Sequence, residues 1–268
     1  MQKTVLVTGA TDGIGKETAR VLLERGFRVL VHGRSTEKAQ RTCDALGGGE
    51  AVAGDLSRMA EVRALAEAVG VKTSKLDVLV NNAGVFVHER SITDDGFELT
   101  MAVNHFAPFV LTQRLLPLLE AASTETAPAR VVHVSSVAHQ RASLDPTDLE
   151  WPNGFQGYAA YARSKLANVL LSSALSRRSR TTHNALHPGV IGTKLLKGGF
   201  GMDGASLAEG AKTTVKVATS SELATVTGKY FSDEREVAAS KLARDLGLSE
   251  KLYAVSAERT GEAALPLL

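Results

Sequence analysis

Thr8-Gly9-Ala10-Thr11-Asp12-Gly13-Ile14-Gly15 is the stretch whose reading decides the fold. It follows a short apolar run, Val5-Leu6-Val7, and opens directly into a segment with helix-like apolar spacing, from about Ile14 to Arg25, that Gly26 stops. The three glycines each have a physical use. One permits a tight turn, one lets backbone approach a pyrophosphate, and one lets a helix pack close to a strand. A helix starting there presents unpaired N–H groups and a positive dipole end to an anion. Such turns also arise for packing alone, so the rest of the chain must support the reading.

Working outward, Val29-Leu30-Val31 reads as a second strand. A polar helix from about Ser35 to Leu46 ends at Gly47-Gly48-Gly49. Ala51 to Ala53 is a third strand, and a helix N-capped by Ser57 runs to Val69. Leu76 to Val80 is a fourth strand, and a long helix spans about Asp95 to Leu119. Arg130 to Val134 is a strand, Tyr158 to Arg177 a helix, and Asn184 to Leu186 a strand. Short apolar strands alternating with helices argue for a parallel sheet covered on both faces. Right-handed crossovers then give a single α/β domain over 1–268, Rossmann-like and doubly wound. No repeat, linker or domain boundary interrupts it.

Composition agrees. The 268 residues are 44% hydrophobic, enough for a core, and the formal net charge is only +2 with interspersed signs. No nucleic-acid partner is expected. Arg177, Arg178 and Arg180 read as a solvated helix end. The single cysteine, Cys43, excludes an internal disulfide, reads as structural, and leaves no thiol metal site. No metal ligands are expected. No stretch reaches the ~18 apolar residues of a membrane span, and the first residues carry no apolar signal region. The expectation is a cytoplasmic protein without membrane insertion.

The glycine spacing is not that of the usual dinucleotide fingerprint. It resembles the Thr-Gly-x-x-x-Gly-x-Gly turn of the short-chain dehydrogenase/reductase family. Further segments resemble that family in order: Asn81-Asn82-Ala83-Gly84 after the fourth strand, Asn104 in the long helix, Ser135-Ser136 ending the fifth strand, Tyr161-Ala-Arg-Ser-Lys165, and His187-Pro188-Gly189 with Thr193. The likeness covers about residues 4 to 193. Gly13-Ile-Gly-Lys-Glu-Thr-Ala19, Ser164-Lys-Leu-Ala-Asn168 and Thr227-Gly-Lys-Tyr-Phe231 resemble the retinol-dehydrogenase-like branch.

The resemblance implies a nicotinamide-dependent oxidoreductase with Asn104, Ser136, Tyr161 and Lys165 as catalytic residues. It implies a cofactor site made by Gly9, Thr11, Asp12, Gly13, Ile14 and Gly15, by Asp55-Leu56, by Asn82, Ala83 and Gly84, by Tyr161 and Lys165, and by Pro188, Gly189, Val190 and Thr193. Homodimers or homotetramers through the helices bearing Asn104 and Tyr161 are common in that family.

The residues themselves support this chemistry. A free phenol has a pKa near ~10, and a nearby cation lowers it. Lys165 is one turn beyond Tyr161 and shares its helix face. Tyr158 has Ala162 at the equivalent position and lacks the cation. Tyr161 is therefore expected to be an acidified general acid in carbonyl reduction. The resemblance further implies that Ser136 holds the substrate oxygen, with Ser135 the alternative, that Lys165 also holds the nicotinamide ribose and that Asn104 fixes a relaying water. His139 and His187 read as structural.

An acidic residue ending the second strand would repel a 2′-phosphate. Here Gly33 is followed by Arg34 and Ser35, so NADP(H) is expected over NAD(H). Asp12 departs from many NADP-preferring relatives, which carry a basic residue there. Between Ser136 and Tyr161 lie 24 residues, more than usual, including His139, Leu144, Trp151 and Phe155. This segment, near 137–157, and the glycine-rich stretch near 194–208 are expected to cover the substrate, the latter as a flap. Their apolar residues suggest an apolar small-molecule carbonyl or alcohol. The alternatives are a catalytically silent NADP(H)-binding sensor, which need not keep Ser136, Tyr161 and Lys165, and a sugar-nucleotide epimerase or dehydratase, whose chains are longer.

Overall fold

The computed structural model describes residues 2–268. Strand β1 (Thr4–Val7) is buried at every position, as a strand covered on both faces must be. The glycine turn leads into helix α1 (Gly13–Glu24). Its N-cap is Asp12, whose carboxylate accepts a 2.8 Å hydrogen bond from the Gly13 N–H. β2 (Arg28–Gly33) follows, then α2 (Thr36–Leu46), N-capped by the Ser35 hydroxyl and stopped by Gly47 at φ 69°. β3 (Glu50–Ala53), α3 (Met59–Lys72) and β4 (Val78–Asn81) complete the first half.

The second half runs through α4 (Leu99–Met101), a π-helical stretch over Ala102–Phe106, α5 (Ala107–Ala122), β5 (Arg130–Val134), α6 (Gly157–Leu175) and β6 (Thr182–His187). It ends with α7 (Lys194–Phe200), α8 (Leu207–Thr219), β7 (Tyr230–Ser232), β8 (Arg235–Glu236) and α9 (Leu246–Thr260).

The sheet order is β3-β2-β1-β4-β5-β6-β7-β8, parallel except for β8. Alternation along the strands splits the core in two. Val5 and Val7 face Leu22 of α1, Cys43 of α2 and Val217 of α8. Leu6 faces the other layer, with Val62 of α3, Phe109 of α5, Leu166 of α6 and Leu252 of α9. The expected doubly wound architecture is therefore present. The order reverses between β1 and β4, and a crevice opens beyond the carboxyl ends of the strands there.

Several local expectations are corrected. Ser57 does not cap α3. Its N–H and hydroxyl both donate to the Asp55 carboxylate, at 2.9 and 2.8 Å, and the start of the helix instead uses Asp95, which accepts from the Met59 N–H at 2.7 Å. The helix expected from Asp95 begins only at Leu99. Thr93 and Phe97 close a turn with Gly96 at φ 81°, and the Glu98 carboxylate caps the Thr100 and Met101 N–H groups at 2.9 Å. Arg177 and Arg178 are not a solvated end. Both clamp Glu250 of α9, and Arg178 lies over the Tyr253 ring, its guanidinium 4.1 Å from the centroid.

Helix α9 lies across the layer that holds the π-helical stretch and α6. The Ser256 hydroxyl pairs with His105 at 2.7 Å, Ser249 donates to the Leu170 carbonyl at 2.9 Å, and Gln113 donates to the Tyr253 hydroxyl at 3.1 Å. Helix α9 thus packs against the helices that bear Asn104 and Tyr161.

Candidate active site

The crevice is a cleft of ≈ 790 Å³, large enough for a dinucleotide's reactive half and a small substrate. Its floor at one end is the glycine turn. A Cβ on Gly9 would come 2.9 Å from the Ala83 Cα, and one on Gly15 would overlap the Asn82 amide and the Gly9 carbonyl. Bare backbone is therefore required where the turn meets the end of β4. Thr8 and Asn82 fasten that contact: the Thr8 hydroxyl accepts from the Asn82 and Ala83 N–H groups at 3.0 and 3.1 Å, and the Asn82 amide donates to the Thr8 carbonyl at 2.8 Å. Thr11 to Gly15 line the cleft above this knot, where the first turn of α1 offers N–H groups to an anion.

Asp12 also forms a 2.6 Å ion pair with Lys194 at the start of α7. The Lys194 ammonium beside it holds the Asp12 carboxyl below the usual carboxylate range. Arg34, Asp55 and Leu56 line the cleft where the adenosine end of a dinucleotide would lie, and Lys38 joins them from the first turn of α2. Ser35 does not line it. Its hydroxyl accepts from the Lys38 N–H at 3.3 Å as the cap of α2. Buried imidazole His32 also borders this region.

At the other end, Ser136, Tyr161 and Lys165 converge. Ser136 lies two residues past the end of β5, and Tyr161 and Lys165 project from one face of α6, with the Lys165 ammonium 5.5 Å from the Tyr161 ring centroid. Lys165 Nζ donates to the Val134 carbonyl at 2.9 Å. Both serines border the cleft, but the Ser135 hydroxyl is engaged elsewhere, donating to the Lys165 carbonyl at 2.7 Å, and it is the Ser136 hydroxyl that meets the phenol. Asn104 is fully buried in the π-helical stretch. Its amide oxygen accepts from the Val85 N–H at 2.8 Å, and its nitrogen donates to the Val85 carbonyl at 3.0 Å and to the Ser164 hydroxyl at 2.9 Å. It does not line the cleft, but Gly84 lies directly between it and Lys165.

The phenol is not acidified by the protein alone. Phe86 and Phe200 pack against the Tyr161 ring at centroid distances of 5.8 and 5.7 Å. Burial pushes Tyr161 up to about 12, outweighing the opposing interaction with Ser136. Burial also pushes Lys165 down to about 8. Desolvation of both charged forms overrides the attraction that the one-turn spacing suggested.

Pro188, Gly189, Val190 and Thr193 line the cleft as β6 leaves the sheet, and Thr193 packs beside Gly13. Of the long segment after Ser136, Val137 and Ala138 line the cleft, whereas Leu144 and Leu149 join the core under α6. Trp151 lies under Arg163, whose guanidinium is 4.0 Å from its ring centroid. His139 is structural: its Nδ1–H donates to the Ser136 carbonyl at 2.7 Å and its Nε2 accepts from the Ser240 N–H at 3.2 Å. His187 borders the cleft, and burial holds it down at about 4, so it is neutral at neutral pH. In the 194–208 stretch, α7 brings Leu195 and Phe200 over the cleft, and His88 Nε2 meets the Gly198 carbonyl at 3.1 Å.

Sequence reasoning missed Lys38, Lys194, His32 and Phe86. The first three carry no motif of their own, since their positions become meaningful only when β2, α2 and α7 meet. Among the described residues no helix is long and apolar enough to cross a membrane, and no group of three potential metal ligands occurs.

The family model for short chain dehydrogenases matches residues 3–200. The chain therefore belongs to the short-chain dehydrogenase/reductase family, whose members are oxidoreductases that use nicotinamide cofactors. Within it, the chain falls in the retinol-dehydrogenase-like branch. It is 38% identical to retinol dehydrogenase 12 of Bos taurus, over 97% of this chain and 86% of that one. It is 37% identical to polyprenol dehydrogenase of Mus musculus, over 97% and 84%. Among solved structures, the Pseudomonas aeruginosa RhlG/NADP active-site complex superposes with a TM-score of 0.72 at 29% identity, over 92% of this chain and 96% of that one.

Proposed function

We propose that this protein transfers hydride between NADP(H) and the carbonyl or hydroxyl of an apolar small molecule. The observation that carries the reading is the convergence of Ser136, Tyr161 and Lys165 on one cleft whose far end is the glycine turn. When bound, the nicotinamide supplies or accepts the hydride. The protein's part is to place the substrate oxygen between Ser136 and Tyr161 and to move a proton to or from it.

In carbonyl reduction, the Tyr161 phenol donates its proton to the oxygen as negative charge develops there. A phenol held near about 12 is fully protonated at neutral pH, which suits this direction. The Ser136 hydroxyl donates a hydrogen bond to the same oxygen. The Lys165 ammonium stabilises the phenolate left behind. Asn104 holds the Val85 backbone and Ser164, fixing the wall behind Lys165. Phe86, Phe200 and Leu195 exclude water, and they favour an apolar substrate.

The preference for NADP(H) rests on Arg34 and Lys38. Two cations border the adenosine end, and no acidic residue ends β2. Lys194 pairs with Asp12 and so offsets the acidic charge at the glycine turn, where many NADP-preferring relatives carry a basic residue. The relative from Pseudomonas aeruginosa, described with NADP, accords with this.

A panel of apolar ketones, aldehydes and alcohols assayed with NADPH, NADH and their oxidised forms tests the reading through nicotinamide absorbance. Turnover with a preference for NADPH is expected. Binding of NADPH without turnover of any substrate would favour the silent sensor, and better turnover with NADH would refute the cofactor assignment.

A further inference from the structure

Residue His32 has no place in the chemistry above, yet it is 1% exposed and sits at the junction of three segments that form the cofactor end of the cleft. Its Nδ1 accepts the Gly9 N–H at 3.0 Å. Its Nε2 lies 2.9 Å from the Gly54 carbonyl, just past the end of β3. Its own backbone carbonyl accepts the Ala10 N–H at 2.9 Å. With Nδ1 accepting from an amide and a carbonyl opposite Nε2, only the neutral ring protonated on Nε2 satisfies both contacts. Burial lowers its pKa, in keeping with that neutral form.

We propose that His32 is a positioning residue for the dinucleotide: its imidazole bolts the glycine turn to the end of β3 and sets which turn amides face the cleft. The inference rests on the cofactor reading above. By engaging Gly9 and Ala10 from beneath, His32 turns those two N–H groups away from the cleft. The first-turn amides of α1 are left to meet the pyrophosphate. The bolt also fixes the spacing between the turn and Asp55, which line the two sides of the adenosine end. Gly9 sits at φ 62° against Ala83, just past the end of β4, where even a Cβ would come 2.9 Å from the Ala83 Cα.

Two conservative variants separate the two hydrogen bonds. In H32N the amide oxygen can replace Nδ1 as acceptor for Gly9, whereas H32Q can keep the donor to Gly54 but leaves the Gly9 N–H buried without a partner. Dissociation constants for NADPH are read from its fluorescence, and kcat is read at saturating NADPH. H32Q is expected to weaken NADPH binding about tenfold with kcat kept within about twofold, and H32N to restore most of the affinity. A merely structural role would lower kcat and melting temperature in both variants without separating their affinities, and that pattern would overturn the inference. Equal NADPH affinity in H32Q and the unaltered protein would overturn it alone. Failure of the unaltered protein to bind either NADPH or NADH would overturn the cofactor reading and this inference together.

Discussion

Gly84 lies so close to Lys165 that a Cβ built on it would stand 3.2 Å from the Lys165 ammonium nitrogen and 3.4 Å from the Asn104 amide oxygen. The constraint at Gly84 is close contact and not backbone twist, since its φ is not positive. Gly84→Val is expected to displace Lys165 and lower kcat/KM by about a hundredfold, the scale of a 1 Å misplacement in an active site. Steady-state kinetics on the variant, with circular dichroism to confirm folding, checks this, and unchanged kinetics would contradict it.

The lowered Lys165 pKa predicts a pH profile. Its ammonium supports the phenolate formed on proton donation, and it is lost as pH rises through about 8. The Tyr161 phenol stays protonated well beyond that, up to about 12. Carbonyl reduction should therefore hold steady from pH 6.5 to 7.5 and decline above about 8. A kcat/KM profile for the free enzyme that stays flat to pH 10 would contradict it.

The proposed preference for NADP(H) rests on charge at the adenosine end. On that proposal, replacing both Arg34 and Lys38 by Ala would remove two cations placed to meet a 2′-phosphate, where a charge-assisted hydrogen bond is worth about 1.5–3 kcal/mol. The ratio of kcat/KM for NADPH over NADH is expected to fall by at least about tenfold, through the NADPH value. An unchanged ratio would contradict the assignment.

Three buried imidazoles, His105, His133 and His183, make the fold acid-sensitive. Burial holds His105 and His133 down at about 3, and His183 well below its usual value. In the unfolded chain each titrates near ~6.5. Below that pH the unfolded state binds more protons than the folded one, so stability falls as pH drops from about 6.5 toward 3. Melting temperatures by circular dichroism should drop steadily between pH 7 and 4.5. A flat profile would show that these rings are not buried in neutral form.

The architecture was legible because each strand is short, apolar and bounded. Arg130–Val134 could be read with its bounds, and the polar helix between Ser35 and Gly47 declared both of its ends. Errors came where capping is non-local. Ser57 looks like a cap in sequence, but the carboxylate that serves α3 belongs to Asp95, 36 residues on. The site's residue types were legible because the Tyr161–Lys165 and glycine spacings are local. The electrostatics were not. A one-turn spacing reports attraction between phenol and ammonium, but it is silent about Phe86 and Phe200, which pack on the phenol, and about the burial of the ammonium itself. Nor could sequence show that Arg177 and Arg178 would be covered by α9, since Glu250 lies more than 70 residues away.

The central claim is that the Tyr161 hydroxyl carries the proton to the substrate oxygen. Tyr161→Phe keeps the ring that packs against Phe86 and Phe200 and removes only that hydroxyl. NADPH affinity and turnover should be measured on the same preparation. The account expects the NADPH dissociation constant to stay within about threefold while kcat falls by about 10²–10⁴. Near-normal turnover by a folded, NADPH-binding Tyr161→Phe protein would contradict it.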